Sequence, residues 1–552
     1  MVKVKIINYL KEVVKEPVSI EVFVPDNEKF GHYSTNVALK LAKLRKQNSM
    51  TVAEEIKSVL SRVVVKDFFK KIEIAPPGFI NFWLSEKTLQ DKIKEILKKE
   101  KKYGQQLKAK SSKLKAISIE FISANPTGPL TIGNGRGGFL GDALANILKF
   151  QGNKVVKEYY INDAKASTQI RELGKTAVGI GKSYKTKDLE LKIKKLGPKK
   201  AKNYSDAGYL LAKIIQEDNK KFIENKLKIK FDKWFSEENL YKSGAVEKLL
   251  GELKKKNLIY KKDDAIWFKS KQFGDNEDRV LVRQPRVAGQ AGEPTYFLPD
   301  LAYHLNKFKI RKFNKVIDIW GADHHGYSPR LKAGLKAFGI ADEKLKIIIS
   351  QLVRLIKKGK ETKMSKRKGE YVSLEELIDE VGLDAARFFF LMYSPNTHMD
   401  FDLDLAKEKS LENPVYYVQY AAVRCDSILK KPKFQSPNSK QIPKPKFQNL
   451  KLLNTKEDLN LIRMLVRFPE IIEEAAQNYS PQILVRYSLD LARQFHNFYE
   501  KEHIIADLRG LNADQYRQSM DFMFARLALI QATLVIFKNT FNLLGITLPK
   551  KM

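Results

Sequence analysis

At 552 residues the chain is too long for one ordinary domain, and at roughly 100–200 residues per domain three or four are expected. Its 43% hydrophobic and 10% aromatic content supplies packed cores and argues against a disordered chain, while a single cysteine, Cys425, excludes a disulfide framework or a cysteine-rich zinc site. The 101 Lys and Arg against 64 Asp and Glu leave a net charge of +37, which points to a polyanionic partner, nucleic acid or an anionic membrane surface, beneath a bias of 81 Lys over 20 Arg.

Residues 1–14 place Ile6, Ile7, Leu10 and Val13 at helical spacing among lysines, an amphipathic helix rather than a signal peptide. Residues 19–24 alternate like a strand, 35–45 read as a helix, and 79–84, after Pro76-Pro77-Gly78, read as another strand. A lysine-rich helix leads into a polar, basic linker at 101–113. Beyond it 114–122 is strand-like, and 135–150 is a helix with Leu140, Ala143, Leu144, Ile147 and Leu148 on one face. Residues 155–161 form the next strand, completing a βαβ unit and hence a parallel sheet. A charged, mostly helical stretch at 168–257 interrupts this pattern, which resumes at 315–320, so the parallel-sheet domain carries an insertion. From 413 onward the chain reads as packed helices. Leu484, Tyr487, Leu491, Phe495 and Phe498 form one apolar stripe, and Met523, Leu527, Ile530, Leu534 and Phe537 another. No run of about 18 uninterrupted apolar residues is present, and the most apolar region, 522–537, contains Arg526 and Gln531, so no membrane span is expected.

The glycine-rich stretch 123–138 joins strand to helix, where free backbone N–H groups and the helix dipole suit a phosphate. Gly133, Gly135 and Gly138 match G-x-G-x-x-G, with Glu158 twenty residues on, as in a dinucleotide fold. Against that, about ten residues with two prolines separate Ile122 from Gly133, where a dinucleotide turn would be tight. A second feature, Lys363-Met364-Ser365-Lys366, offers two lysines three apart on a loop before a helix capped by Ser373 and Glu376. Mobile ammonium groups at that spacing can both reach phosphates, and paired with the glycine-rich turn they are not a dinucleotide feature.

With Ala124-Asn125-Pro126-Thr127-Gly128-Pro129-Leu130 and Lys363-Met364-Ser365-Lys366, the sequence resembles the class I aminoacyl-tRNA synthetases, and specifically the arginyl-tRNA synthetase family. Glu158-Tyr159-Tyr160-Ile161-Asn162-Asp163, Glu293-Pro294-Thr295-Tyr296-Phe297, Trp320-Gly321-Ala322-Asp323-His324-His325-Gly326 and Asn413-Pro414-Val415-Tyr416-Tyr417 carry the same likeness over nearly the whole chain. The resemblance implies a multidomain α/β plus all-α protein. A small α/β tRNA-elbow-binding domain (1–110) precedes a Rossmann-like parallel-sheet catalytic domain (111–410, insertion about 165–285) and an α-helical anticodon-binding bundle (411–552). It implies ATP-dependent activation of L-arginine and its transfer to tRNA(Arg), with Mg²⁺ as counter-ion. It also implies a cytoplasmic monomer with no membrane partner, in which arginine activation requires bound tRNA.

By the same resemblance Thr131, Gly133, Asn134, Lys363 and Lys366 are catalytic, and Pro126, Gly128, Gly133, Asn134, Gly135 and Lys366 bind ATP. Asn125, Glu237, Tyr296, Asp300, Asp323 and His324 would bind arginine, a planar guanidinium suiting carboxylate partners. For tRNA the implied contacts are Asn81 and Phe82, near Phe79, at the elbow, and Tyr416, Tyr417, Gln419 and Tyr420 at the anticodon loop. One departure stands out. The family's His-x-Gly-His is here Thr131-Ile132-Gly133-Asn134, a hydroxyl and an amide in place of two imidazoles, a form also found in some tryptophanyl enzymes of the class. The adjacent His324 and His325, with Asp323, are not expected to bind a metal, because neighbouring strand residues face opposite sides. Two other readings remain open: an RNA-binding relative without catalysis, and a dinucleotide-dependent oxidoreductase.

Overall fold

The computed structural model describes residues 1–63, 67–106, 115–197, 201–284, 292–362, 373–430, 449–502 and 512–552. At the N-terminus a three-stranded antiparallel sheet orders Tyr33–Thr35, Phe79–Leu84 and Phe69–Ala75, with Ile80, Phe82 and Leu84 buried against surrounding helices. Residues 19–24, expected as a strand, contribute only one ladder pair, Phe23 with Ser34. The alternation is real, with Val22 buried and Phe23 exposed. The segment is bracketed by Pro17 and Pro25, which cannot donate to a ladder.

Five parallel strands form the central sheet, in the spatial order Leu345–Ser350, Lys315–Gly321, Ala116–Glu120, Lys154–Ile161, Lys233–Ser236. The βαβ unit is its middle: Ala116–Glu120 leads through the helix Ile132–Phe150 to Lys154–Ile161, paired from Ile117–Val155 to Glu120–Glu158. The chain moves outward on one side and returns on the other with Lys315–Gly321, so strand order reverses beside Ala116–Glu120. A crevice opens at the carboxyl ends of strands at such a point. The stretch 121–135, Glu237 and residues 322–327 all follow directly on those ends. Lys233–Ser236 lies within the segment expected as an insertion; its four residues, after a lysine-rich run, carry too little apolar sequence to read as a buried strand.

The glycines of the signature helix are explained by packing. A Cβ on Gly135 would overlap the Leu374 side chain, one on Gly141 would overlap Phe121, and one on Gly138 would press on Ile122 at 3.0 Å. These positions let the helix settle onto strand and neighbour, whereas a Cβ on Gly133 would meet only Thr131 Oγ1, at 3.8 Å. Elsewhere, helices Thr168–Ala177 and Tyr204–Asn225 cross so closely at Gly174 and Gly208 that any side chain there would strike backbone.

The C-terminal part packs the helices Pro414–Leu429, Lys456–Gln477, Gln482–Lys501 and Ala513–Leu544, and every residue of the two predicted stripes is buried. Ala513–Leu544 is long and apolar enough to cross a membrane, but 67% of its most apolar window is buried inside the bundle. The N-terminal unit docks directly on these helices. Tyr33 Oη lies 3.1 Å from both carboxylate oxygens of Glu470, the Lys3 N–H donates to Glu470 at 2.9 Å, and Asn539 Nδ2 donates to the Glu100 carbonyl at 3.0 Å.

Candidate active site

The signature turn leaves Ala116–Glu120 under strain. Ile122 and Ser123 have φ of 68° and 39°, a conformation that a β-branched residue adopts only when its surroundings impose it. The neighbouring strand imposes it here. Ser123 Oγ accepts from the Tyr160 N–H at 3.1 Å, the Ser123 carbonyl accepts from Asn162 Nδ2 at 2.9 Å, and the Ala124 N–H donates to the Tyr159 hydroxyl at 3.1 Å. The turn then exposes Asn125, buries Pro126, and fixes the Gly128 carbonyl on Asn219 Nδ2 at 3.1 Å.

Thr131 is the N-cap of the helix. Asn134 Oδ1 accepts from both the N–H and the hydroxyl of Thr131, each at 2.9 Å. The amide oxygen is thereby engaged, and Asn134 Nδ2 has no partner among the described residues. The N–H groups of the first helical turn have no i−4 acceptor, so the residues replacing two histidines still present donors at the start of the helix, where a Cβ on Gly133 would meet only Thr131 Oγ1. Lys363 and Lys366 fall outside the described residues. Their flanks do not: the Leu374 N–H donates to the Leu130 carbonyl at 2.9 Å and Ser373 pairs with Thr131, which ties the far end of the lysine segment to the signature turn.

A second cluster lies across the crevice. Glu237 is only 4% exposed at the start of Glu238–Lys242, just past Lys233–Ser236. Burial, reinforced by Asp300 and Asp163, raises its carboxyl to about 8. Asp300 is half-buried in Phe297–Leu305, and burial raises it too. Tyr296, at the N-cap of that helix, is 51% exposed at the pocket rim. The Tyr160 hydroxyl is buried without a hydrogen-bond partner among the described residues, the buried Tyr327 hydroxyl bears directly on Asp300, and both rings face the two carboxylates. Two carboxylates that resist ionising together, beside an unused hydroxyl, form a cavity suited to a cation that can bond several oxygens. Arg171 and Glu293 line its mouth with Tyr241, Arg283 and Tyr296. His324 touches the Trp320 ring at 5.9 Å and bears on Asp300, whereas Asp323 points outward, 3.5 Å from His324 and largely exposed.

Tyr160, Tyr241, Tyr327, Arg171 and Glu293 went unread in the sequence. Alternation along Lys154–Ile161 could have singled out Tyr160, since Tyr159 is taken by the signature turn and its neighbour must face the other side. No sequence signal links Arg171 to Glu293.

Beneath the cavity lies a buried ionic network. Glu158, the residue a dinucleotide fold would use on a ribose, is fully buried and bonded to Tyr303 at 2.6 Å and Arg311 at 3.0 Å, which removes that reading. Glu120, His304 and Asp318 bring one ligand atom each to within 4.8 Å of one another. Lys307 Nζ occupies their midst, 2.6 Å from Glu120 and 3.0 Å from Asp318, so an ammonium ion already supplies the positive charge there.

The expected RNA contacts divide. Phe82 is 0% exposed and packs on Phe69 at 5.0 Å, and Asn81 is buried accepting from Ser34 Oγ at 2.7 Å. Both support the N-terminal sheet from within, because Phe79–Leu84 is its central strand and is covered on both sides. Gln419 is likewise buried, its Nε2 donating to Asp384 and to the Thr547 carbonyl, each at 2.9 Å. Tyr416 and Tyr420 are half-buried and stacked at 6.2 Å, with Arg424 over the Tyr420 ring at 5.5 Å, and Tyr417 lies 4.9 Å from His496.

Three family profiles match the chain: the arginyl tRNA synthetase N terminal domain at 1–84, the class I (R) tRNA synthetase catalytic domain at 182–392, and the DALR anticodon binding domain at 418–552. An arginine–tRNA ligase of Listeria monocytogenes is 40% identical over 580 residues, covering 100% of this chain and 99% of that protein. One from Desulforamulus reducens is 39% identical over 547 residues, covering 96% and 93%. Among solved structures, Thermus thermophilus arginyl-tRNA synthetase superposes with a TM-score of 0.76 at 21% identity over 100% of both chains.

Proposed function

Because this chain belongs to the arginyl-tRNA synthetase family and is an arginine–tRNA ligase, we propose that its two clusters are the two halves of one active site. The enzyme activates L-arginine with ATP to arginyl-adenylate, releasing pyrophosphate, and transfers the arginyl group to tRNA(Arg). The observation that carries the assignment is the Glu237–Asp300 pair with the unpartnered Tyr160 hydroxyl and Tyr327 beside Asp300, set across the crevice from the signature turn.

In this reading the guanidinium lies between Asp300 and Glu237, the one substrate group that is cationic, planar and rich in donors. Tyr296 closes the rim, Asn125 meets the α-amino and carboxylate end, and His324 flanks the pocket. ATP sits over Pro126, Gly128 and Gly133–Gly135, its phosphates on the first-turn N–H groups, Thr131 and Asn134 Nδ2. The arginine carboxylate attacks the α-phosphorus, the bond to the β-phosphate bridging oxygen breaks, and Lys363 and Lys366 neutralise the departing pyrophosphate. The tRNA terminal hydroxyl then attacks the activated carbonyl and displaces AMP. Positioning and charge neutralisation carry the rate, since no covalent enzyme intermediate is needed. Mg²⁺ enters with the nucleotide as counter-charge on its phosphates, and we assign it no protein ligand.

We further assign 1–110 to the tRNA elbow, 111–410 to catalysis and 411–552 to the anticodon, with Tyr416, Tyr417 and Tyr420 as the stacking surface. The enzyme is read as a cytoplasmic monomer without a membrane partner. Arginine-dependent ATP–pyrophosphate exchange, run with and without tRNA, tests the reading. Exchange that appears only with tRNA supports it, and tRNA binding without exchange or aminoacylation would overturn the active-site assignment.

A further inference from the structure

His304 sits one helical turn beyond Asp300 and is 2% exposed. Its Nδ1 lies 2.7 Å from the Asp300 carbonyl oxygen and its Nε2 lies 2.8 Å from Asp318 Oδ2. A carbonyl oxygen can only accept. Asp318 is ionised: burial opposes this, but Lys307 and His304 hold its carboxyl at about 2. Both ring nitrogens therefore face acceptors, and each must carry a proton. The ring is an imidazolium, locked between the arginine-binding helix and the central sheet.

We propose that His304 is a positioning residue for arginine recognition, a permanent buried imidazolium that fixes the turn carrying Asp300 and favours the ionised form of its carboxylate against burial. The inference rests on the assignment of Asp300 to the guanidinium.

The surroundings leave this task to His304. Facing Asp300 are Tyr327 and the exposed His324 from the segment after Lys315–Gly321, and Asp318 from that strand. Glu237 and Tyr241 face it from the Glu238–Lys242 side, and Tyr160 from Lys154–Ile161. All of these but His324 are acids or tyrosines, which cannot stabilise a carboxylate by being positive, though Tyr327 bears on Asp300 as a hydrogen-bond partner. Arg330 is spent over the Tyr327 ring, 5.2 Å from its centroid, and Lys307 is bonded to Glu120 and Asp318. Burial drives Asp300 toward its neutral acid, and His304 is foremost among the groups that oppose this. Asp318 is then the counter-ion that keeps His304 charged, and Lys307 offsets the two carboxylates below.

His304→Gln keeps a donor toward one neighbour and removes the charge. In the full-length enzyme with tRNA present, KM for arginine should rise at least about tenfold at pH 7 while KM for ATP stays within about twofold. The pH profile is the readout that mere loosening would not move. Wild-type log KM for arginine should change by about one per pH unit below pH 8, one proton from Glu237, and the variant's by about two, because Asp300 now titrates as well. An equal rise in both KM values with an unchanged slope, or no change in either, overturns the proposal. Should the variant fail to fold, ¹⁵N-histidine spectra of the wild-type enzyme decide: with seven histidines, one ring must remain doubly protonated at pH 9. Seven rings that are all neutral at pH 9 also overturn it.

Discussion

Arg171 and Glu293 hold each other in a two-point ion pair, nitrogens 2.7 and 3.1 Å from the carboxylate oxygens, in the lining of the cavity proposed for arginine. The pair joins the helix Thr168–Ala177 to the segment that delivers Tyr296, so it sets how far the rim stands from Asp300. Arg171→Ala should raise KM for arginine about five- to tenfold and leave KM for ATP unchanged, an effect of one lost bidentate contact. The charge swap Arg171→Glu with Glu293→Arg should recover most of it. Steady-state aminoacylation kinetics test this, and a swap no better than the single variant would argue against the pair's role.

Glu237 gives the enzyme a pH dependence whose sign can be worked out. Its ordinary value is 4.5, and burial beside Asp300 in the folded protein raises it to about 8. The native state thus binds this proton more tightly than the unfolded chain does, and stability present below pH 4.5 is lost as pH climbs toward 8. Arginine has the opposite preference, since a guanidinium requires the carboxylate. KM for arginine should therefore fall about tenfold per unit as pH rises to 8 and level off above it. Glu237→Gln should flatten both trends, raising the melting temperature of the ligand-free enzyme at pH 9 while impairing arginine use. A wild-type KM that is constant from about pH 6.5 to 9 contradicts the assignment.

Asp300→Ala should damage arginine use far more than nucleotide binding, by roughly two orders of magnitude or more in kcat/KM for arginine. Equal losses for arginine and ATP would remove it as the guanidinium partner.

Asn134 separates architecture from chemistry. Its oxygen caps Thr131 and its nitrogen is the group left for a phosphate. Asn134→Ala loses both and should lower kcat by roughly 10²–10³-fold with about 1 kcal/mol of local stability. Asn134→Asp keeps the capping oxygen and removes the donor. It should be as slow as the alanine variant yet melt like the wild type, and a fast aspartate variant would show that only the cap matters.

Tyr420 stands on the anticodon side with Arg424 over its ring. Tyr420→Ala should weaken tRNA binding by about 1–3 kcal/mol, the worth of one base stack. Gln419→Ala, which breaks only internal bonds to Asp384 and Thr547, should instead lower the melting temperature with little change in tRNA affinity at temperatures where it is folded.

The sequence carried the architecture where periodicity was strong. The parallel βαβ unit and the two C-terminal stripes could be read because burial on one face leaves a regular mark. Lys233–Ser236 was missed because a four-residue strand between lysines leaves none. The chemistry was legible as contiguous motifs such as 124–130, but the resemblance carried further than the geometry: Phe82 and Gln419, expected as RNA contacts, are buried interior supports. What could not be read were contacts made by tertiary proximity alone. Arg171 meets Glu293 and His304 meets Asp318 through the fold, and each residue taken singly looks like an ordinary surface charge or packing histidine. Gly135, Gly138 and Gly141 illustrate the converse, a pattern typical of nucleotide loops whose cause here is contact with Leu374, Ile122 and Phe121.

The pairing of Thr131 with Ser373 has a consequence for biosynthesis. The turn proposed to cradle ATP is complete only when a segment two-thirds of the way along the chain has left the ribosome and folded back onto it. A nascent polypeptide ending before that point possesses the entire glycine-rich motif but not its closure. Competence to bind the nucleotide should thus arrive late in synthesis and abruptly, as a long-range contact forms, rather than accumulating as the motif itself is translated.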